Sequence, residues 1–313
     1  MKRLYARGKL SPNRDGARDK IIQIVFLIPA LTIFIVFFLY PVSTSVMYSF
    51  TDWNGISRES NFIWFDNYIE FFSNSTIFRT LPTTLYYAVL NMTVLTFGGF
   101  FVALALNRRS RFTPVLRLTF FIPMLVSGLI VGFVFREIYA PVLNEDNMGI
   151  INRLLTMVGL SGLRGNLLGN VNTAMIVVVL TGAWVQLGTT SMIYLAGMQI
   201  IPRELYETAE IDGAGYWRQV YHITWKMIVP SLSINMILLL VNSLKSYEMI
   251  FYLTQGGPGT ATKVVNMSVM EFSVSAYKVG LGCAMSIIVA LFIFVLVTVI
   301  NVLLRRRERG IRE

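Results

Sequence analysis

Long stretches of this 313-residue sequence carry no charged residue, and they restrict its fold more than any other feature. The first runs from Ile21 to Thr51 without an Asp, Glu, Lys or Arg. At a rise of 1.5 Å per residue, about 20 apolar residues cross the ~30 Å hydrocarbon core of a bilayer. Helices satisfy their own backbone hydrogen bonds in lipid, whereas open sheets cannot. The pattern therefore predicts an all-α membrane protein.

Six mostly apolar stretches of membrane-spanning length follow one another along the chain, and we call them spans 1 to 6; the fifth contains Lys245 and Glu248 near one end. Their predicted bounds are about 21–44, 80–107, 115–136, 173–200, 227–253 and 279–304. The predicted organisation is a tail at 1–20, a transmembrane domain at 21–304 and a basic tail at 305–313. Span 1 is too long for the apolar region of a signal peptide, and no small-residue cleavage site follows it, so we expect it to anchor the chain.

The basic residues indicate how the chain is oriented. Nineteen of the 27 Lys and Arg residues lie in four segments, at 1–20, 107–117, 201–226 and 305–313. Short segments rich in Lys and Arg stay on the cytoplasmic side of a membrane. Both termini are therefore predicted to be cytoplasmic. The net charge of +10 reflects this topology and does not indicate nucleic-acid binding.

The loop 201–226 differs from the other cytoplasmic segments because it is also acidic. Pro202 suits the start of a helix, and Gly213 and Gly215 suit its end. A second short helix is expected at 216–224. Two interpretations of the acidic helix remain open, a solvated connector or a docking surface for a basic partner. Its acidic residues are Glu204, Glu207, Glu210 and Asp212.

The segment IPRELYETAEIDGAGYWRQVYHIT (201–224) resembles the cytoplasmic motif of permease subunits of ATP-binding-cassette importers. That motif is Glu-Ala-Ala, three residues, Gly, nine residues, then Ile-x-Leu-Pro. Glu207, Ala209, Gly213 and Ile223 match it. Thr208 replaces the middle alanine, and 225–226 replace Leu-Pro, for which Pro230 would partly substitute.

The resemblance extends along most of the chain, to sugar permeases of this family. Similar segments occur in the family order: FLYPVSTSVMYSFTDWNG (38–55), FDNYIEFF (65–72), ALALN (103–107), FFIPMLVSG (120–128), GIINRLL (149–155), IYLAGMQIIP (193–202) and YLTQGGPGTAT (252–262). The resemblance implies the six-helix core of a type I importer permease in the cytoplasmic (plasma) membrane.

The resemblance also implies partners. These are a second, related permease in a heterodimer, two cytoplasmic ATPases that bind ATP and Mg²⁺, and an extracytoplasmic solute-binding protein. No cofactor is expected in this chain. The residues implied to couple it to an ATPase are Glu204, Glu207, Ala209, Asp212 and Gly213.

Chemistry-bearing motifs are missing from the sequence. No G-x-x-x-x-G-K-[ST] occurs, so the chain has no phosphate-binding loop of its own. His222 is the only histidine and Cys283 the only cysteine. No metal-ligand cluster, nucleophile–base pair or internal disulfide can be built from them. We therefore expect no catalytic and no metal site.

Polar residues inside spans 4 and 5 are candidates for the solute path. On span 5, Asn235, Asn242 and Ser246 fall within about 40° of one another at 3.6 residues per turn. Ser243 lies beside them. On span 4, a matching face comprises Gly182, Gln186 and Thr189. The alternative for these residues is hydrogen bonding between helices. For Lys245 and Glu248 the alternative is a mutual ion pair, three residues apart.

These observations predict an importer subunit that translocates a sugar by alternating access. A polyol or a sugar phosphate is an alternative solute. An ion-coupled carrier or channel is the rival class, but it would need an ionisable pathway near the midplane, which the spans lack. A receptor would need a sizeable ligand or signalling domain, and the sequence has no room for one.

Overall fold

The computed structural model describes residues 15–108, 111–144 and 147–312. Most of the predicted tail 1–20 therefore lies outside the described residues, as does Glu313. The described part is helical, apart from an antiparallel bridge between Thr51 and Phe62.

The first span is a long helix with a local widening in its middle. It comprises α1 (Asp15–Phe34), a π-helical turn (Ile35–Leu39) and α2 (Tyr40–Tyr48). None of its most apolar part, within Gln23–Tyr48, is buried by the rest of the chain. The apolar surface of span 1 is therefore free to face lipid or a partner.

Two short helices follow on the external side, α3 (Asp66–Ser73) and α4 (Ser75–Phe78). The buried amide of Asn67 ties α3 to the end of span 1, because its Nδ2 donates to the carbonyls of Ser49 at 2.9 Å and Thr51 at 2.8 Å. These two hydrogen bonds position the FDNYIEFF segment against the end of the first span.

Span 2 is a single helix, whereas span 3 is broken. Span 2 is α5 (Thr80–Asn107). Span 3 consists of α6 (Thr113–Phe121), a 3₁₀ turn (Ile122–Leu125) and α7 (Gly128–Ile138), and its axis turns by 100°. Our expectation of one continuous stretch at 115–136 needs correction. Pro123 supplies no N–H, and Val126 and Ser127 are extended, so the α-helical ladder stops there.

The next segments lead across the membrane to the cytoplasmic loop. They are α8 (Ile150–Met157), α9 (Val171–Ile200), α10 (Arg203–Ile211), α11 (Tyr216–Gln219) and α12 (Trp225–Met227). A π-helical turn (Val220–Thr224) joins the last two. Helix α9 is span 4, and it packs along α5 through small residues. An added Cβ at Gly99 would lie 2.5 Å from Cγ2 of Thr190.

The last third of the chain holds spans 5 and 6. Its helices are α13 (Val229–Leu244), α14 (Glu248–Thr254), α15 (Val265–Met270) and α16 (Val279–Arg312). The predicted fifth span, 227–253, is wrong as a single helix, because α13 ends at Leu244 and residues 245–247 interrupt it. The chain also bends by 67° at Ile228, where α12 meets α13, and Pro230 stands at the start of the new helix.

Within the described residues, four helices are long and apolar enough to cross a membrane, and each of the two bent pairs can form a further span. The centre of the bundle is formed by α5, α9 and α13, whose facing side chains are buried. The short α14 packs on α7 in the outer half of the bundle. The polar positions predicted for the solute path lie on or next to this centre.

Candidate functional site

The acidic loop forms a defined helix with a glycine-dependent end. Gly213 has a φ of +76°, the left-handed conformation that favours glycine. The amide of Ala214 donates to the carbonyl of Ala209 at 2.8 Å, and the amide of Gly213 donates to Glu210 at 3.0 Å. These bonds close the C-terminus of α10. Gly215 has a φ of −66°, which any residue adopts, so only Gly213 is required by the backbone.

The acidic side chains of this loop are exposed to solvent. Helix α10 has no buried residue, and Ile211 at its end is 87% exposed. Within the described part of the chain, none of the four carboxylates forms an ion pair. The carboxylates are those of Glu204, Glu207, Glu210 and Asp212. The free surface of α10 is thus acidic, with exposed apolar side chains among its charges.

One face of α10 is fastened to the bundle. The hydroxyls of Tyr206 and Thr224 are hydrogen-bonded at 3.0 Å. The ring of Tyr206 packs against a buried cluster that includes Leu106 of α5 and Ile201, the residue that follows α9. These contacts attach α10 to the cytoplasmic ends of spans 2, 4 and 5.

Three of the predicted solute-path residues lie inside the subunit. Asn235 is buried, and its Nδ2 donates to the carbonyl of Thr190 at 3.0 Å. Ser243 is buried and accepts from Nδ2 of Asn91 at 2.9 Å. Gly182 is also buried. For Asn235 and Ser243 the structure favours the alternative interpretation, hydrogen bonding between helices.

Gly182 lies at a crossing of three helices. An added Cβ would lie 3.3 Å from the Tyr87 hydroxyl of α5 and 3.3 Å from Cε of Met249 on α14. The same hydroxyl interacts with Ser246, which stands in the break after α13. The structure therefore brings Gly182 and Ser246 together through Tyr87, and the glycine allows the close approach.

The remaining predicted positions have accessible side chains. Asn242 and Thr189 are exposed, whereas Gln186 and Ser246 are half-buried. The hydroxyl of Thr189 lies 3.3 Å from the sulfur of Met124, in the 3₁₀ turn of span 3. These accessible polar groups flank the two interruptions in spans 3 and 5.

The predicted polar stripe on span 5 is thus divided. Asn235 is buried and donates to the carbonyl of Thr190 on α9, whereas the side chain of Asn242 is exposed. Asn242 belongs instead to an exposed stripe with Ile234, which is 56% exposed, and Leu238, which is 46% exposed. We call Ile234, Leu238, Asn242 and Lys245 the open stripe of α13; all four are exposed and about one turn apart.

Lys245 and Glu248 do not form the ion pair considered above. The ion pairs within the described part of the chain are Lys263–Glu271 and Lys278–Glu70, both in external segments. Helix α13 ends at Leu244, just before Lys245, and α14 begins at Glu248, so the three-residue spacing does not place the two side chains on one helix. Lys245 is exposed and has no carboxylate partner among the described residues.

Two polar residues of span 2 were not predicted as site residues. Tyr87 and Asn91 are fully buried, one turn apart on α5, and both contact residues at the end of α13. The sequence could have indicated both residues. A tyrosine and an asparagine in the middle of an uncharged span need polar partners inside the bundle.

The outer halves of the broken spans pack closely on each other. An added Cβ at Gly132 of α7 would lie 2.6 Å from Cβ of Tyr252 and 3.1 Å from the carbonyl oxygen of Met249. Both latter residues belong to α14. Gly132 therefore sets the distance between α7 and α14, beside the cluster that contains Val131 and Leu253.

We expect two features of an importer permease. One is a set of broken helices around a centre of small residues, and the other is a cytoplasmic loop with an exposed acidic helix. The family model described as the inner membrane component of binding-protein-dependent transport systems matches residues 95–313. The chain therefore belongs to this family. The prediction of an all-α membrane protein with about six spans, in the inner membrane, is confirmed by this match.

Individual proteins show how far the similarity reaches. The chain is 31% identical to the probable ABC transporter permease protein YurN of Bacillus subtilis, over 87% of this chain and 92% of that protein. It is 28% identical to the probable starch degradation products transport system permease protein AmyD of Thermoanaerobacterium thermosulfurigenes, over 91% and 94%.

A solved structure shows the same fold. In the bacterial alginate ABC transporter in complex with alginate pentasaccharide-bound periplasmic protein, one chain matches with a TM-score of 0.81. It is 23% identical over 94% of this chain and 97% of that chain.

The family defines the biochemical setting of this chain. It is the membrane subunit of an ABC importer that works with an extracytoplasmic binding protein and ABC ATPases. Such subunits are not catalytic and carry no cofactor. ATP and Mg²⁺ belong to the ATPases.

Proposed function

We propose that this subunit, paired with a second related permease, forms the membrane path of a sugar or oligosaccharide. The accessible uncharged polar groups at the interruptions of spans 3 and 5 carry this proposal. Gln186, Thr189 and Asn242 offer amides and a hydroxyl on helices that are otherwise apolar. Amides and hydroxyls donate and accept hydrogen bonds, as the hydroxyl groups of a sugar do.

The relatives support a carbohydrate solute. One of the similar proteins, AmyD of Thermoanaerobacterium thermosulfurigenes, is named as a permease for starch degradation products. A polyol presents the same hydroxyl groups and would use the same residues. A site built to hydrogen-bond hydroxyls rejects solutes that leave its buried polar groups unpaired.

The proposed roles of the residues follow from their positions. Asn242, Gln186, Thr189 and Ser246 contact the solute. Asn235, Ser243 and Gly182 hold α5, α9, α13 and α14 together behind them. Movement of the ATPases reaches these helices through α10, where Glu207 contacts a basic residue of the ATPase. Helix α10 transmits it through Tyr206 to the span ends.

Uptake of radiolabelled sugars by the complete importer in proteoliposomes tests the solute path. Asn242→Leu and Gln186→Leu each remove a hydrogen-bonding group worth about 0.5–1.5 kcal/mol. We therefore expect roughly two- to tenfold weaker uptake for each, with normal membrane insertion and normal ATPase binding. Leu238→Ile, on the same open stripe, is the matched control and should transport at the parental rate. If both variants kept the parental rate and solute preference, the path would run elsewhere.

The second permease has its own test. Each chain carries one α10, whereas ABC ATPases work in pairs, and the open stripe of α13 needs a cover inside the membrane. We expect this chain, with the ATPase and the binding protein but without a second permease, to give no transport in liposomes. Full transport by that set would contradict the heterodimer.

A sugar phosphate or another acidic sugar is the second candidate solute. Lys245 favours it, since this exposed cation, which has no carboxylate partner among the described residues, stands one turn beyond Asn242 on the open stripe. Lys245→Gln separates the two candidates. For an acidic solute, uptake should fall roughly fivefold or more, because one ionic hydrogen bond is lost. For a neutral sugar, uptake should stay unchanged.

A further inference from the structure

A cleft opens between the cytoplasmic ends of three spans and the inner face of α10. It has a volume of about 1210 Å³ and is bounded by the ends of α5 and α9 and by the first turns of α6. Among the described residues, four arginines and one carboxylate, that of Glu210, line it. The arginines are Arg108, Arg111, Arg117 and Arg203. The cleft is thus strongly cationic, although the solvent-facing side of α10 is acidic.

None of these arginines has an acidic partner among the described residues. The guanidinium of Arg108 lies over the ring of Tyr216, 4.5 Å from its centroid, and that of Arg111 lies 5.1 Å from the centroid of Phe112. Both side chains are exposed. These contacts with aromatic rings leave the positive charge of Arg108 and Arg111 at the cleft.

Arg117 is the most constrained of the four. It lies one turn inside α6, and its Nε is buried without any hydrogen-bond acceptor in the described part of the chain. A buried donor that lacks an acceptor is unfavourable, and it is more so on a charged group. An anion in the cleft would supply the missing acceptor.

The chemistry and the location together indicate the class of anion. A guanidinium group matches the geometry of phosphate oxygens with two parallel hydrogen bonds. The cleft lies at the level where spans 2, 3 and 4 reach the cytoplasmic membrane surface. Beside it, α6 exposes an apolar face, with Val115 62% and Leu118 60% exposed. A phosphate carried by a lipid would keep its acyl chains along that face.

We propose that this cleft binds the phosphate group of an anionic phospholipid from the cytoplasmic leaflet. Arg117 is the central ligand, and Arg111 and Arg203 bind the same headgroup from the loop and from α10. Because Arg203 is the first residue of α10, the bound lipid links α10 to span 3. Anionic lipid then supports the coupling of ATP hydrolysis to transport, independently of which solute is carried.

The test uses the complete importer in nanodiscs of phosphatidylcholine, with or without phosphatidylglycerol. Native mass spectrometry counts the phosphatidylglycerol molecules that stay bound, and solute-stimulated ATP hydrolysis is measured in parallel. Each basic residue near an anionic surface contributes enough for roughly fivefold tighter binding. Arg117→Gln and the exposed Arg111→Gln should each weaken retention by about that factor. Arg117→Lys keeps the charge but loses the paired donors, so its lipid retention should lie between that of the parent and that of Arg117→Gln.

The control and the contrary outcomes are specific. Arg305→Gln removes an equally basic residue at the cytoplasmic end of span 6, outside the cleft, and should retain lipid as the parent does. Equal retention by the Arg117, Arg111 and Arg305 variants would overturn the proposal. A second result would also overturn it. In nanodiscs of pure phosphatidylcholine and at matched ionic strength, inorganic phosphate would raise the unfolding temperature of the parent but not that of Arg117→Gln. The ligand would then be a soluble phosphate compound and not a lipid.

Discussion

The short helices of the outer half and the short helix of the cytoplasmic loop are attached to the bundle in different ways. In the outer half, α7 and α14 meet almost backbone to backbone at Gly132, and Met249, Ile250 and Leu253 are buried. On the cytoplasmic side, α10 buries no residue and is held mainly through Tyr206. The outer helices are therefore part of the core, whereas α10 is a surface fastened to it.

This difference separates two kinds of mutational effect. Changes between α7 and α14 should lower the stability of the subunit, because packed interiors have no spare volume. Changes on α10 should leave stability nearly intact and alter communication with the ATPase. Variants of α7 and of α10 test that separation.

A methyl group at Gly132 should disturb the packing between α7 and α14. In Gly132→Ala the added Cβ meets Cβ of Tyr252 at 2.6 Å, so α7 and α14 must move apart. Overpacking of this kind costs about 1–3 kcal/mol. Thermal unfolding of the purified complex should show a lower midpoint. Gly162→Ala, where an added Cβ meets nothing within 4 Å, is the matched control and should unfold like the parent.

On α10, the sharpest comparison is between two neighbouring glycines. Both have open space around an added Cβ, but only Gly213 has a positive φ. Gly213→Ala should therefore cost about 1–2 kcal/mol of local strain and reduce solute-stimulated ATP hydrolysis. Gly215→Ala should behave like the parent. Equal stimulation in both variants would show that the end of α10 does not affect coupling.

The charge of α10 can be tested separately from its shape. Glu207→Lys should insert normally but lose solute-stimulated ATP hydrolysis, because reversing a charge at a partly desolvated contact costs roughly 2–5 kcal/mol of docking energy. The measurement is ATPase stimulation in proteoliposomes, with co-purification of the ATPase as a second readout. Normal values of both would place the docking contact on other residues.

A smaller effect distinguishes the two asparagines of span 5. Asn235→Leu removes the hydrogen bond to Thr190 and should destabilise the subunit by about 0.6–1.7 kcal/mol, without changing solute preference. Asn242→Leu should leave the unfolding midpoint unchanged and affect uptake. Identical profiles for the two variants would mean that they share one role after all.

The smallest expected effect concerns the fastening of α10. Tyr206→Phe removes the hydroxyl contact with Thr224, which is worth about 1 kcal/mol. Hydrogen exchange of the α10 amides should become roughly fivefold faster, since local opening costs less. Tyr221→Phe, on an exposed ring of the same loop, should not change it.

Much of this protein follows from its sequence alone. Uncharged stretches of membrane-spanning length predicted the helices, because lipid leaves no other way to satisfy a backbone. The distribution of Lys and Arg predicted the orientation. Pro202 and Gly213 marked the ends of α10, because both residues act through backbone geometry that is local to the chain. The Glu-Ala-Ala-like motif and the ordered family segments pointed to the importer family, which the family match confirms.

Tertiary structure decided where each polar side chain lies. Helical periodicity placed Asn235 and Asn242 on one face, but it carries no information on how far a neighbouring helix extends along that face. Helix α9 covers the first and leaves the second open. The breaks at 126–127 and 245–247 likewise escape a hydropathy pattern, since an isolated polar residue such as Ser127 or Lys245 inside an apolar stretch does not show that the helix stops there. Packing between α7 and α14 stabilises those breaks, and packing depends on residues that are distant in the sequence.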